Sequence, residues 1–153
     1  MKRGATLEDS LSYVLRQALR QVERGGAGGR FSDGPLTWEI PKDPSFGDLS
    51  NSISFKVAAA QNEPPQQFAE ALLQAFLSCC RQAGADEWIE RVEAKAGFLN
   101  VFLSRQALTQ VLRSILRQGR RYGMRRVAPA PAINIEFVSA NPTGPLSVAH
   151  GRQ

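Results

Sequence analysis

The residues whose types could do chemistry gather in the run Glu136-Phe137-Val138-Ser139-Ala140-Asn141-Pro142-Thr143-Gly144-Pro145-Leu146-Ser147-Val148-Ala149-His150-Gly151-Arg152. Residues 133–138 read as a strand. They lead into a polar loop rich in glycine and proline, then into a small-residue segment that carries the only histidine of the chain, His150. A strand that opens at its carboxyl end into such a loop, followed by a helix start, is the arrangement that holds a nucleotide. The exposed amides at the helix start face the phosphates. By composition alone the same run also fits a plain loop.

A second group is defined by charge. Residues 105–126 hold seven arginines (105, 113, 117, 120, 121, 125 and 126) and no acid. Outside that segment, 12 basic residues face 14 acidic ones, so the net charge of +5 comes from one block and not from the surface as a whole. A local positive block suits a polyanion such as nucleic acid. A solvated helix face followed by a linker meets the same pattern.

The elements that must position these groups follow from periodicity and punctuation. The chain has 153 residues and is 42% apolar, enough for one domain with a real core, or one domain and the start of another. It holds no run of 18 apolar residues and no signal-peptide stretch, so neither a membrane span nor export is expected. Cys79 and Cys80 are adjacent, cannot build a zinc site, and read as ordinary helix residues of a reduced, cytoplasmic protein. A single histidine and no clustered cysteines leave no metal site to propose.

Thr6-Leu7-Glu8-Asp9 forms a capping box, and Leu7, Leu11, Val14, Leu15, Ala18, Leu19 and Val22 then repeat at helical spacing until Gly25-Gly26. Residues 36–40 alternate around Trp38 and read as a strand ended by Pro41 and Pro44. A turn over 45–50 leads into a helix over 51–61. Pro64-Pro65 opens another helix, striped with Phe68, Ala69, Leu72, Leu73, Phe76 and Leu77 and stopped at Gly84. Residues 89–94 and 97–103 read as strands joined by a Lys95-Ala96-Gly97 turn. Trp38, Phe98 and Phe102 are assigned to the core.

Ser104 caps a helix running to about residue 119. At 100° per residue, Leu108, Val111, Leu112, Ile115 and Leu116 share one side, expected to be buried, and Arg113, Arg117, Arg120 and Arg121 share the other. The run Ala128-Pro129-Ala130-Pro131-Ala132 is an extended linker and places a domain boundary between 1–127 and 128–153. The fold class is α+β: a small antiparallel sheet packed with about four helices, then the opening of something else.

Residues 136–152 resemble the first signature of the arginyl-tRNA synthetases, class I enzymes with a Rossmann-type catalytic domain. Pro41-Lys42-Asp43-Pro44 with Gly47-Asp48, and Gly97-Phe98-Leu99-Asn100-Val101-Phe102-Leu103, resemble that family's N-terminal domain in content and order. The resemblance implies that 128–153 is the linker, first strand and signature loop of an incomplete catalytic domain. It implies ATP-dependent activation of arginine and transfer to tRNA by the full-length family, with ATP and magnesium. Glu136 would face the arginine guanidinium, and Ser139 and Asn141 would hold the amino and carboxyl end. Gly144 lies in the ATP and arginine loop, and His150 would contact the ATP phosphates.

Two positions depart from the family: Ser147 stands where it has its first histidine, and Ala149 where it has a glycine. Serine donates a hydrogen bond but carries no charge at neutral pH, and a methyl at Ala149 approaches the base site. The chain alone is therefore expected to be catalytically inactive and to bind no cofactor tightly. The resemblance makes 1–127 a domain that contacts the tRNA elbow, as a monomer, with Lys42, Phe46, Asn51, Asn100, Arg113, Arg117 and Arg121 as candidate contacts. Gly47 and Asp48 read as turn and cap residues. A stand-alone RNA-binding module and a non-functional product of a truncated synthetase gene remain open beside the synthetase reading.

Overall fold

The computed structural model describes residues 6–23 and 31–124, and beyond them Ala132, Asn134, Ile135, Gly144, Pro145 and Val148. The chain divides into two compact units, Met1–Gly119 and Arg120–Gln153. The boundary expected at 127/128 and most of the strand expected over 133–138 lie outside the described residues. Asn134 and Ile135 are described and belong to no regular element.

The first unit begins with helix α1, Leu7–Val22, whose capping box forms as expected: Asp9 N–H donates to Thr6 Oγ1 at 3.1 Å and Thr6 N–H returns to Asp9 Oδ2 at 3.0 Å. The stripe Leu11, Val14, Leu15, Ala18 and Leu19 is buried. It packs on α3, Pro65–Ala83, which turns Phe68, Leu72 and Phe76 inward and ends at Gly84. Helix α2 is Ile53–Gln61. Helix α4, Arg105–Gln118, starts where Ser104 Oγ accepts the Ala107 amide at 3.1 Å.

The sheet has three antiparallel strands in the order β1 (Leu49–Asn51), β3 (Phe98–Leu103), β2 (Ile89–Lys95). The β2–β3 hairpin is the one the turn residues announce. Strand β1 replaces part of the expected turn over 45–50. The strand expected over 36–40 is reduced to a single bridge, Glu39 to Ser50. Pro35 and Pro41 bracket that segment and supply no amide, so the ladder has little length to grow.

The 3-10 turn Phe31–Asp33 is tied to α1. The Glu23 carboxylate accepts from Ser32 N–H at 3.1 Å and from its hydroxyl, and the Arg16 guanidinium donates to the carbonyls of Ser32 and Gly34. Trp38 leans on Phe76 with ring centroids 6.3 Å apart and donates its indole N–H to Ser12 Oγ, so it belongs to the core margin as expected.

Cys79 and Cys80 are free and buried in α3. Burial pushes the Cys79 thiol up and the Cys80 thiol up to about 12. Both stay protonated at ordinary pH, where the thiolate is the reactive form. Alkylation of the folded chain at pH 8 is expected to be slower than in urea by on the order of a hundredfold. Equal rates in the two conditions would show that α3 opens readily. Among the described residues no helix is long and apolar enough to cross a membrane.

Candidate nucleic-acid interface

The side chains of β3 alternate between two surroundings. Leu99, Val101 and Leu103 enter the core, at 0%, 0% and 9% exposure. Phe98, Asn100 and Phe102 therefore turn to the opposite side of the sheet. The register sets Lys95 across from Phe98, Glu93 and Ser50 on either side of Asn100, and Arg91 across from Phe102. The result is an outer face of alternating rings and charges. Phe98 and Phe102 are corrected accordingly: they stand on this face, with Phe98 exposed and Phe102 half-buried.

Two cations lie on rings there. The Arg91 guanidinium sits 3.4 Å from the Phe102 ring centroid, with its Nε donating to Glu93 Oε1 at 2.9 Å. The Lys95 ammonium sits 4.8 Å from the Phe46 centroid. Phe98 meets Phe55 edge-on, with centroids 4.9 Å apart. Exposed rings and stacked guanidinium planes are what unpaired bases stack on.

The loop before β1 is held against this sheet. Asp43 caps the 3-10 turn Pro44–Phe46 by accepting the Ser45 amide at 2.9 Å. That amide, then the Ser45 side chain, and lastly the Lys95 charge hold the Asp43 carboxyl below its ordinary value. The folded pKa is depressed, so the cap is present above the ordinary carboxylate pKa and is lost as pH falls through the folded value. Gly47 ends the 3-10 turn as expected, whereas Asp48 caps no helix and is bonded instead to strand β3. Asp48 N–H donates to Val101 O at 2.9 Å, and Asp48 Oδ2 accepts Leu103 N–H at 2.8 Å.

The candidate contacts separate by position. Lys42 is exposed and Phe46 half-buried in the same loop. Asn51 is 2% exposed and committed to the fold: its Oδ1 accepts Ile53 N–H at 2.9 Å and its Nδ2 donates to Thr37 O at 2.8 Å. Asn100 is 1% exposed, with Oδ1 accepting from Ser50 Oγ at 2.8 Å and Nδ2 among the buried groups with no hydrogen-bond partner. Burial thus removes Asn51 from the surface. Asn100 lies beneath the outer face with one donor unused.

Arg113 and Arg117 are exposed on α4. Arg105, Gln106, Thr109, Gln110 and Arg113 line an open groove of about 430 Å³. Arg121, also exposed, lies in the 3-10 turn Gly119–Arg121. The expectation that α4 buries its apolar side is overturned: Leu108, Leu112, Ile115 and Leu116 are all exposed, and Ala107 alone of the helix is buried.

Of the signature, Gly144, Pro145 and Val148 are described, and all three are exposed. Glu136, Ser139, Ala140, Asn141, Pro142, Thr143, Leu146, Ser147, Ala149 and His150 lie outside the described residues. Arg91, Lys95, Phe98 and Phe102 were not among the expected contacts. The signal for them was present: extending the pairing outward from the Lys95-Ala96-Gly97 turn puts them on one face.

The described geometry has known counterparts. The family described as "Arginyl tRNA synthetase N terminal domain" matches residues 9–103. The chain is 34% identical over 143 residues to the arginine–tRNA ligase of Legionella pneumophila (strain Paris), covering 93% of this chain and 23% of that protein. It is 41% identical over 118 residues to that of Cupriavidus metallidurans, covering 77% and 19%. Among solved structures, Thermus thermophilus arginyl-tRNA synthetase superposes with a TM-score of 0.53 at 26% identity, covering 96% of this chain and 21% of the other. The chain spans about a fifth of the length of these relatives. With residues 9–103 matched, which hold most of α1, all of α2 and α3 and the three strands, it belongs to the family of arginyl-tRNA synthetase N-terminal domains.

Proposed function

We propose that this chain supplies the tRNA-contacting domain of an arginine–tRNA ligase and does no chemistry by itself. The observation that carries this is the division of labour on its surface. The outer sheet face offers rings and ring-stacked cations, but Asp43, Asp48, Glu90 and Glu93 make it electrically mixed. Helix α4 and the residues after it offer arginines with no acid. A tRNA loop presents unstacked bases to the first and phosphates to the second. Lys42, Phe46, Lys95, Phe98 and Arg91 form the base-side set, and Arg113, Arg117 and Arg121 the phosphate-side set.

Alanine at Phe98 is expected to weaken binding of arginine-accepting tRNA by on the order of tenfold, the scale of one lost base stack, while Phe98→Tyr keeps it. Fluorescence anisotropy with labelled tRNA reads both, with circular dichroism confirming the fold. Full binding by the alanine variant would remove the sheet face from the interface.

Arginine activation, with ATP and magnesium, belongs in this reading to the longer synthetase. Glu136, Ser139, Asn141, Gly144 and His150 would supply part of its site. Ser147 lacks the charge that a histidine could place on a phosphate, and Ala149 adds a methyl at the glycine position. Both favour the second reading, a stand-alone RNA-binding module, over an active site. The intact mass of the native protein separates them: several tens of kilodaltons supports the ligase, and about 16.8 kDa supports the module.

A further inference from the structure

Helix α4 carries an apolar arc that the described fold leaves open. At 100° per residue, Ala107, Val111, Ile115, Leu108, Leu112 and Leu116 follow one another around the helix. Ala107 is buried, and exposure then rises from 37% at Ile115 through 49% at Leu108 and 55% at Leu112 to 73% at Leu116. Single exposed leucines need no explanation, but a contiguous stripe on one helix does. The helix is fastened at its first turn, where Ser104 Oγ donates to Glu87 O at 2.7 Å and Gln106 Nε2 to Glu87 Oε2 at 3.0 Å. From Leu108 to Leu116 the open seam runs for about 12 Å.

The charges beside the seam all have one sign. Arg105 stands in line with Leu112 and Leu116 at the N-terminal end, Arg113 flanks Leu116, and no acid occurs over 105–126. We propose that this seam is a docking site for a protein surface of complementary chemistry: an apolar ridge, such as one face of an amphipathic helix, bordered by carboxylates that meet Arg105 and Arg113. Charge selects this occupant. A second copy laid α4 against α4 would set guanidinium against guanidinium with no carboxylate between them. A lipid surface is the poorer fit, because 105–118 contains no Trp, Tyr or Phe to anchor at the headgroups. Leu112 and Leu116 lie away from Arg117, whereas Arg113 stands between the two faces, so a partner on the seam and a polyanion on the far side share that one guanidinium.

The test uses the whole chain and a fluorescein-labelled synthetic helical peptide of roughly 18 residues. The peptide has leucines at helical spacing bordered by Glu, and a matched peptide carries Lys in place of Glu. The acidic peptide is expected to bind roughly tenfold more tightly than the basic one. The double variant Leu112→Ser with Leu116→Ser is expected to lose roughly tenfold of that affinity, with circular dichroism and tRNA affinity unchanged. Equal binding of the two peptides, binding by neither, or full binding by the double variant overturns the proposal. So does sedimentation as a dimer that the double variant makes monomeric, or flotation with phosphatidylserine vesicles that the acidic peptide does not compete away. Failure of tRNA binding with the peptide result intact would sink the tRNA reading and leave this one standing.

Discussion

Replacing Arg113, Arg117 and Arg121 together with alanine is expected to lower tRNA affinity by on the order of tenfold or more at low salt and to flatten its salt dependence. Each arginine on a phosphate releases a condensed counterion, so three lost contacts reduce the slope of log K against log salt by about 2 to 3. All three side chains are exposed, and none anchors the core, so thermal unfolding should be unchanged. Titrations of wild type and variant between low and moderate salt read the slope directly. An unchanged slope with unchanged affinity would make the arginine face of α4 a solvated surface and nothing more. The comparison with Phe98→Ala is informative in itself. Loss of a base stack lowers affinity at every salt concentration, whereas loss of a phosphate contact changes the slope.

Gly47→Ala is expected to cost about 2 to 4 kcal/mol of stability. Two causes combine. Gly47 has φ +95°, where a side chain is strained, and a Cβ there would lie 2.7 Å from Val101 O and 3.1 Å from Val101 C. The obstructing atoms are backbone of the central strand β3, which cannot move aside without breaking the ladder on both flanks. The next residue makes the Asp48 bonds to Val101 O and Leu103 N–H, and the preceding one is Phe46, so the substitution also displaces the loop that brings Phe46 to Lys95. Gly84→Ala is the control. Its φ is +64°, but nothing lies within 4 Å of the added carbon, so only the backbone cost of about 1 kcal/mol is expected. Urea unfolding of both variants measures the difference. Equal losses would mean that the contact with Val101 relaxes freely and that strain alone sets the cost.

Much of the scaffold was legible from short-range chemistry. The Thr6–Asp9 capping box, the Ser104 cap, the stop at Gly84 and the hairpin turn at Ala96-Gly97 each depend on residues at most a few positions apart. Side-chain donors, acceptors and backbone preference decide them before anything packs. The errors share a different cause. Strand β1 is three residues long and exists because Ser50 meets Asn100 fifty positions later, a pairing with no local signature. The segment over 36–40 alternates like a strand but finds only one bridge, because neighbours and not alternation make a ladder.

The candidate site divides along the same line. Two asparagines, Asn51 and Asn100, were both placed on the RNA surface by resemblance. Packing sent Asn51 inward to cap α2 and take up Thr37 O, and set Asn100 beneath the outer face with a donor left over. Pairing outward from the hairpin turn puts the rings and cations of that face, Phe98, Phe102, Arg91 and Lys95, together, but only the packing of Leu99, Val101 and Leu103 into the core made it the outer face. A one-residue slip of β2 on β3 would have turned Arg91 and Lys95 to the side opposite Phe98 and Phe102.

By itself the sequence determined the helices, the hairpin, the acid-free arginine helix and the family, because these are encoded in periodicity, caps and motif. Tertiary structure alone decided which side of the sheet each aromatic faces, which asparagine is spent on the fold, and that the apolar arc of α4 is left uncovered among the described residues. A pattern states that a face prefers burial. Only the arrangement of all the elements in space determines whether another surface is there to bury it.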